Sequence, residues 1–176
     1  LISFAQSTPP RDESGKIVYS EVVTAEGLSQ QELYSRLREF FVNTFGSAED
    51  VIQMDDKEGG KIIGKAFNDI LLVDGKKKEK RKMWFTVKLE MKDGRYRYEI
   101  SDILLQRYCI PNPYVSCEAQ TRKHTAEEVL DSPSRFDKKG NVKPVYTTME
   151  SEINKAATTI ALLVKSSAAS SSSSDW

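Results

Sequence analysis

Gly59, Gly64 and Lys65, in the stretch GGKIIGKA (59–66), have the spacing of a phosphate-binding loop. Such a loop follows a buried strand, is built of small residues and opens directly into a helix. Its Lys is followed by Ser or Thr, whose hydroxyl holds magnesium. Here the preceding VIQMDDKE is amphipathic and charged, Ile62 and Ile63 occupy the loop, and Ala66 replaces the hydroxyl residue. The stretch reads instead as a KEGG turn joining a strand at Val51–Asp56 to a long strand at Lys61–Val73. Gly64 then marks a bulge or a close approach by a helix. The remaining reactive side chains form no constellation. His124 is the only histidine, and it has no Cys, Asp or Glu at metal-ligand spacing. No G-x-S-x-G, H-E-x-x-H or C-x-x-C occurs, and Asp55-Asp56 and Glu127-Glu128 fall in a turn and at a helix start. The expectation is a non-enzymatic chain with no cofactor, no metal and no nucleotide.

Two further clusters concern binding or compartment. The run KKKEKRK (Lys76–Lys82) reads as a basic loop between strands, a solvated hairpin tip whose lysines discourage edge pairing. Contact with phosphate or lipid headgroups is the sharper alternative. Cys109 and Cys117 bracket IPNPYVS. A disulfide there would close a short loop and contribute roughly 2–3 kcal/mol; two free thiols are the alternative.

Composition limits the partners. The chain has 176 residues and 26 basic against 26 acidic side chains, so nothing in the balance calls for nucleic acid or an anionic membrane. No apolar run approaches the ~20 residues of a spanning helix, so no integral membrane segment is expected. The first residues, LISFAQ, read as a signal-peptide remnant (1–5) cleaved after Ala5, which implies export to the periplasm or beyond. A disordered leader (6–15), one α+β domain (16–166) and a disordered Ser-rich tail (167–176) ending in Trp176 complete the expected organisation.

The elements that must position these residues are marked by caps and alternation. Ser29-Gln-Gln-Glu32 is a capping box with Leu28 and Leu33 as its staple, and Leu33, Leu37, Phe40, Phe41 and Phe45 follow at helical spacing toward Gly46. Thr125–Glu128 predicts a short helix that Pro133 ends. Thr147–Glu150 predicts a third start, before an apolar stripe from Met149 to Val164. Between the helices, Asp93-Gly94 is a hairpin turn. It sets Met91, Leu89 and Val87 opposite Tyr96, Tyr98 and Ile100, and Glu90 and Lys88 opposite Arg97 and Glu99. One sheet face is therefore greasy and the other wet. The alternation slips after Ile100. A bulge at Ser101–Asp102 that returns Ile103 and Leu105 to the core is one repair; a buried, functional Asp102 is the other.

The stretch SQQELYSRLREFFVNTFGSAEDVIQMDDKEGGKIIGKA (29–66) resembles an exported family of Bacteroides-type bacteria, a domain of unknown function with a fold like the TATA-box-binding protein. The resemblance rests on Glu32-Leu33-Tyr34, Phe40 and Phe41, Val51-Ile52-Gln53, Asp56-Lys57-Glu58, Gly60, Lys61, Ile62 and Gly64, and continues through RKMWFTVKLEMKDGRYRYEISDI. Phe40 stands where many members carry Trp. The resemblance implies a fold and no active site. Both readings agree on an α+β, two-layer, curved antiparallel sheet with helices packed on one face, TBP-like or helix-grip-like.

Two functions follow as expectations. The first is a non-catalytic binding module for an unknown protein, using Trp84, with Ile103 opposite it if the hairpin register continues, and Tyr108 and Tyr114 on the loop. The second is a carrier of a small apolar ligand held between the sheet and the C-terminal helix, unless Phe67, Phe85, Tyr96 and Tyr98 fill that space. Nucleic acid is not expected as a partner.

Overall fold

The computed structural model describes residues 8–46, 48–111 and 113–170. In chain order it runs β1 (Tyr19–Thr24), α1 (Gln30–Phe45), α2 (Ala48–Val51), β2 (Ile52–Asp56), β3 (Lys61–Asp74), β4 (Lys77–Lys92) and β5 (Arg95–Arg107). There follow α3 (Cys117–Gln120), β6 (His124–Thr125), α4 (Ala126–Leu130), a 3-10 turn (Pro133–Arg135) and α5 (Pro144–Ala169). The strands form a six-stranded sheet in the order β1-β5-β4-β3-β2, with β6 on β5. This is the α+β class that the sequence implies. The signal-peptide remnant, most of the Ser-rich tail and Trp176 lie outside the described residues.

The described chain divides into two compact units, to both of which β3, β4, β5 and α5 contribute. One comprises Tyr19–Ala66, Thr86–Ile100 and the described residues from Thr158. Its alternation is the expected one: Val87, Leu89, Met91, Tyr96, Tyr98 and Ile100 are buried. Arg97 pairs with Glu90 across the strands, while Lys88 turns to Glu90 on its own strand at 3.1 Å. Helix α1 starts at the Ser29–Glu32 capping box and stops at Gly46. Its start is also tied to the β4–β5 turn, where Gly94 N donates to Leu28 O at 2.8 Å. Gly64 is the close approach foreseen, since a Cβ there would lie 2.3 Å from Phe41 Cε1. The turn before β3 needs Gly60, at φ +60° and with Met91 O 2.6 Å from where its Cβ would stand.

The other unit comprises the described residues up to Val18, Phe67–Phe85 and Ser101–Ala157. Ile70, Leu72, Met83, Phe85, Ile103, Leu105, Leu130, Met149 and Ile153 form its core. Asp102 is exposed with φ +50°, and Ile103 and Leu105 return to the interior, so the slip is resolved as a bulge and Asp102 is not buried.

Four expectations are corrected here. Residues 8–15, assigned to a disordered leader, are tied down by an Arg11–Ile17 bridge and a two-pronged Arg11–Asp131 ion pair at 2.8 and 3.0 Å. Residues 167–169, assigned to the tail, are the end of α5, with Ala168 buried. Helix α5 begins at Pro144, a residue that favours the first turn, so Thr147 is inside it. Glu150 then meets Arg135 at 3.2 Å instead of capping. Finally, Lys77–Lys82 opens β4 and is no loop, because the run alternates between the two sheet faces.

Candidate partner-binding site

The open face of the second unit is set by strand parity. On β3, Ile70 and Leu72 point inward, which leaves Phe67, Asp69 and Leu71 outside. On β4, Met83 and Phe85 are buried, which places Lys80, Lys82 and Trp84 on the open side. On β5, the bulge turns Ile103 and Leu105 inward and hence Gln106 outward, with Tyr108 continuing the same parity. Alternation on three strands thus gathers three aromatic rings and several lysines.

Their geometry is specific. The rings of Phe67 and Trp84 are 4.7 Å apart between centroids, tilted by 43°. Lys82 Nζ stands 4.5 Å from the Phe67 centroid, 5.3 Å from Tyr108 and 5.9 Å from Trp84, so one ammonium is shared by three rings. Trp84 Nε1 donates to Gln106 Oε1 at 2.8 Å, and Gln106 Nε2 donates to Thr121 O at 2.8 Å. This relay fixes the indole and also anchors the segment that carries Lys123, whose Nζ sits 3.6 Å from the Trp84 centroid. Each such cation–ring contact contributes about 0.5–1 kcal/mol at an exposed site.

Charge is unevenly matched across this face. Asp69 receives Lys80 at 2.7 Å and the Tyr108 hydroxyl, and these bonds, Lys80 first, hold its carboxyl below the usual range. The same Asp69 contact raises Tyr108 and Lys80. Lys82 and Lys123, by contrast, make no ion pair within 4 Å among the described residues, and their ammonium groups rest on rings. An open groove of about 690 Å³ adjoins, lined by Lys77, Lys78, Lys80, Arg107, Tyr108 and Ile110, with Glu79 its carboxylate. Asp69 also feels the Lys82 charge, though at no ion-pair distance. Rings beside ammonium groups that lie outside any close ion pair can hold a carboxylate flanked by apolar groups. Among the described residues, no three His, Cys, Asp or Glu side chains converge to hold a metal.

The expected site residues separate. Trp84 and Tyr108 are brought together through Lys82. Ile103 does not join them: it is 0% exposed in the core, because the bulge reverses its parity relative to Trp84. Tyr114 is 92% exposed on the loop that a Cys109–Cys117 disulfide closes. Phe67, expected among residues filling space beneath the helix, is 41% exposed on the other side, whereas Phe85, Tyr96 and Tyr98 are buried. The roles of Phe67, Lys82 and Lys123 were not foreseen. The first two share parity with Lys65, Asp69 and Lys80, a signal present in the sequence; Lys123 reaches Trp84 through a loop and leaves none.

A family described as a domain of unknown function (DUF4468) with TBP-like fold matches residues 19–106. No curated protein matches the chain. Among solved structures, a DUF4468 family protein from Bacteroides ovatus ATCC 8483 superposes with a TM-score of 0.69 at 16% identity, covering 96% of this chain and 94% of that one. A TBP-like protein from Parabacteroides distasonis ATCC 8503 gives 0.62 at 18% identity, covering 93% and 97%. At these identities the likeness is one of fold.

Proposed function

The chain belongs to the DUF4468 family, and on that premise we propose that it is a non-catalytic binding module. Its Phe67–Trp84–Tyr108 face docks a protein segment that carries carboxylates beside apolar side chains. The observation that carries this reading is the placement of Lys82 on the exposed Phe67 ring and of Lys123 on the half-buried Trp84 ring, with no carboxylate of their own within 4 Å. An incoming Asp or Glu gains an ammonium partner without breaking an existing ion pair, and its neighbours gain aromatic surface. Polypeptide fits better than nucleic acid, because the lysines occupy ring faces on which bases would stack. The apolar-ligand alternative needs a cavity beside α5. There Met83 and Phe85 on β4 and Met149 and Ile153 on α5 are buried as core side chains. No helix among the described residues is long and apolar enough to cross a membrane. We place the module in an exported setting, a reading supported by the bonded Cys109–Cys117 pair, which persists in oxidising compartments.

The test is a panel of short peptides in which Asp or Glu alternates with Leu or Phe, beside the same peptides with Asn and Gln. The acidic set should bind the full chain, weaken with added salt, and lose about tenfold in affinity in Lys82→Gln or Lys123→Gln. Equal binding of the neutral set, or binding indifferent to Trp84→Ala, would refute the assignment.

A further inference from the structure

We propose that a second groove, beside the Cys109–Cys117 loop, binds a small organic anion: a carboxylate or phosphate borne on a hydroxylated body. The groove has a volume of about 500 Å³ and open walls; it shares Arg107 and Gln120 with the groove beside the ring cluster but uses none of that cluster's rings, nor Lys82 or Lys123. Its walls come from the ends of β4 and β5, from α3 and α4, from the 3-10 turn and from the first turn of α5. Arg81, Arg107, Arg122 and His124 line it, together with the hydroxyls of Ser134 and Tyr146.

The charge arrangement carries the argument. Glu79 alone serves two guanidinium groups: Arg81 Nε at 2.7 Å and Nη2 at 3.2 Å, and Arg107 Nε at 3.0 Å. Arg81 is held in place by that carboxylate with its side chain only 11% exposed, so its charge is oriented without being fully matched. Arg122 makes no ion pair among the described residues, and Glu128, the carboxylate that lines the groove, stands 3.9 Å from His124 Nδ1. Three guanidinium groups therefore face two carboxylates, a surplus that favours an anion. Guanidinium is also the side chain whose planar fork matches carboxylate and phosphate oxygens. Ser134 Oγ lies 2.7 Å from Tyr146 Oη and 2.8 Å from Ser132 Oγ, and this hydroxyl chain lines the same groove as a surface for a polar body. The volume exceeds that of a bare inorganic ion and suits a ligand of monosaccharide size.

The experiment titrates the full chain with glucuronate, glucose 6-phosphate and glucose, and reads both heat and backbone chemical shifts. Saturable binding of either anion, with shifts at Arg122, His124 and Ser134 and silence toward glucose, is the expected result. Which anion binds identifies the head group. Arg122→Gln, an exposed position that leaves the Glu79 network untouched, should weaken binding about tenfold or more, and Arg122→Lys should restore part of it. Absence of saturable binding by both anions, equal binding of glucose, or an unchanged affinity in Arg122→Gln would overturn the proposal. Because none of these probes carries the acidic–apolar pattern offered to the Trp84 face, the two sites fail or succeed independently.

Discussion

Asp93 Oδ1 accepts the backbone N–H of Gln30 at 2.7 Å, so a β-hairpin turn caps a helix that begins 63 residues earlier. The first turn of a helix has N–H groups without intrahelical partners and favours negative charge. Ser29 and Glu32 satisfy part of that need from within, and Asp93 adds a partner for Gln30 from the β4–β5 turn. Asp93→Ala is expected to cost about 1 kcal/mol in urea unfolding, with Asp93→Asn losing less. An unchanged midpoint would mean water replaces the carboxylate without loss.

Gly64 should tolerate no side chain. Its missing Cβ leaves room for the Phe41 ring, whose Cε1 and Cδ1 would stand 2.3 and 2.9 Å from an added methyl group. Phe41 is wholly buried and cannot swing outward. Gly64→Ala is expected to destabilise by about 1–3 kcal/mol, and Phe41→Leu in the same chain should recover part of it. Two independent, additive losses in the double variant would argue against this contact.

Acid should weaken the fold through three partnered carboxyls. Partial burial pushes Glu21, Asp55 and Glu79 upward, but bonds outweigh it. Lys165 and Tyr98 serve Glu21, Tyr34 and Arg38 serve Asp55, and Arg81 and Arg107 serve Glu79, so each ends below its usual range. The unfolded chain then binds more protons than the native one. The contribution is fully present above unfolded values of about 3.9 for Asp and 4.3 for Glu. It is lost as pH falls through the lower folded values. Urea midpoints measured from about pH 6 downward should fall most steeply below about pH 4. The gap between wild type and Glu79→Gln should narrow over the same range; a gap that stays constant would remove Glu79 from the account.

Breaking the Cys109–Cys117 bond should loosen the unfolded chain more than it disturbs the native loop. The bridge spans eight positions, and the chain-entropy model gives about 2–3 kcal/mol for a loop of that size. Gln120 independently ties the loop, donating to Ile110 O at 2.9 Å and Val115 O at 3.1 Å. Cys117→Ser should therefore lower the midpoint while leaving the shifts at Tyr108 and Trp84 in place. Large shifts at Trp84 would show that the bond also holds the ring cluster.

The hairpin was readable because two independent signals coincide there: apolar residues fall on one parity and opposite charges on the other. Capping boxes were readable where side chain and backbone are neighbours in sequence, as at Ser29 and Thr125. Thr147 shows the converse, since the same letters lie inside a helix once Pro144 starts it earlier and Arg135 claims Glu150. For Ile103 the bulge reading holds, and the pairing with Trp84, which needs an unbroken register from Asp93-Gly94, does not. Phe67 sits on the wet parity of β3 with Lys65 and Asp69, a pattern visible in the letters but overridden by the habit of sending Phe inward. The Lys123–Trp84 contact depends on a loop tied by Gln106, and local sequence carries no trace of it.

The positive φ of Asp102 has a consequence for how this chain tolerates length changes. From Arg95 to Ile100 the even positions are interior, and at Ile103 and Leu105 the odd ones are, so β5 changes phase by one step. Ile100 and Ile103 are both interior with two residues between them, so the strand holds one residue more than alternation needs. Deleting Ser101 or Asp102 would remove that surplus and leave Ile103 and Leu105 inside, with Gln106 and Tyr108 outside. Deleting Leu104 instead would flip everything beyond it: Gln106 and Tyr108 would be driven inside and the ring face lost, although every residue that composes it would still be present.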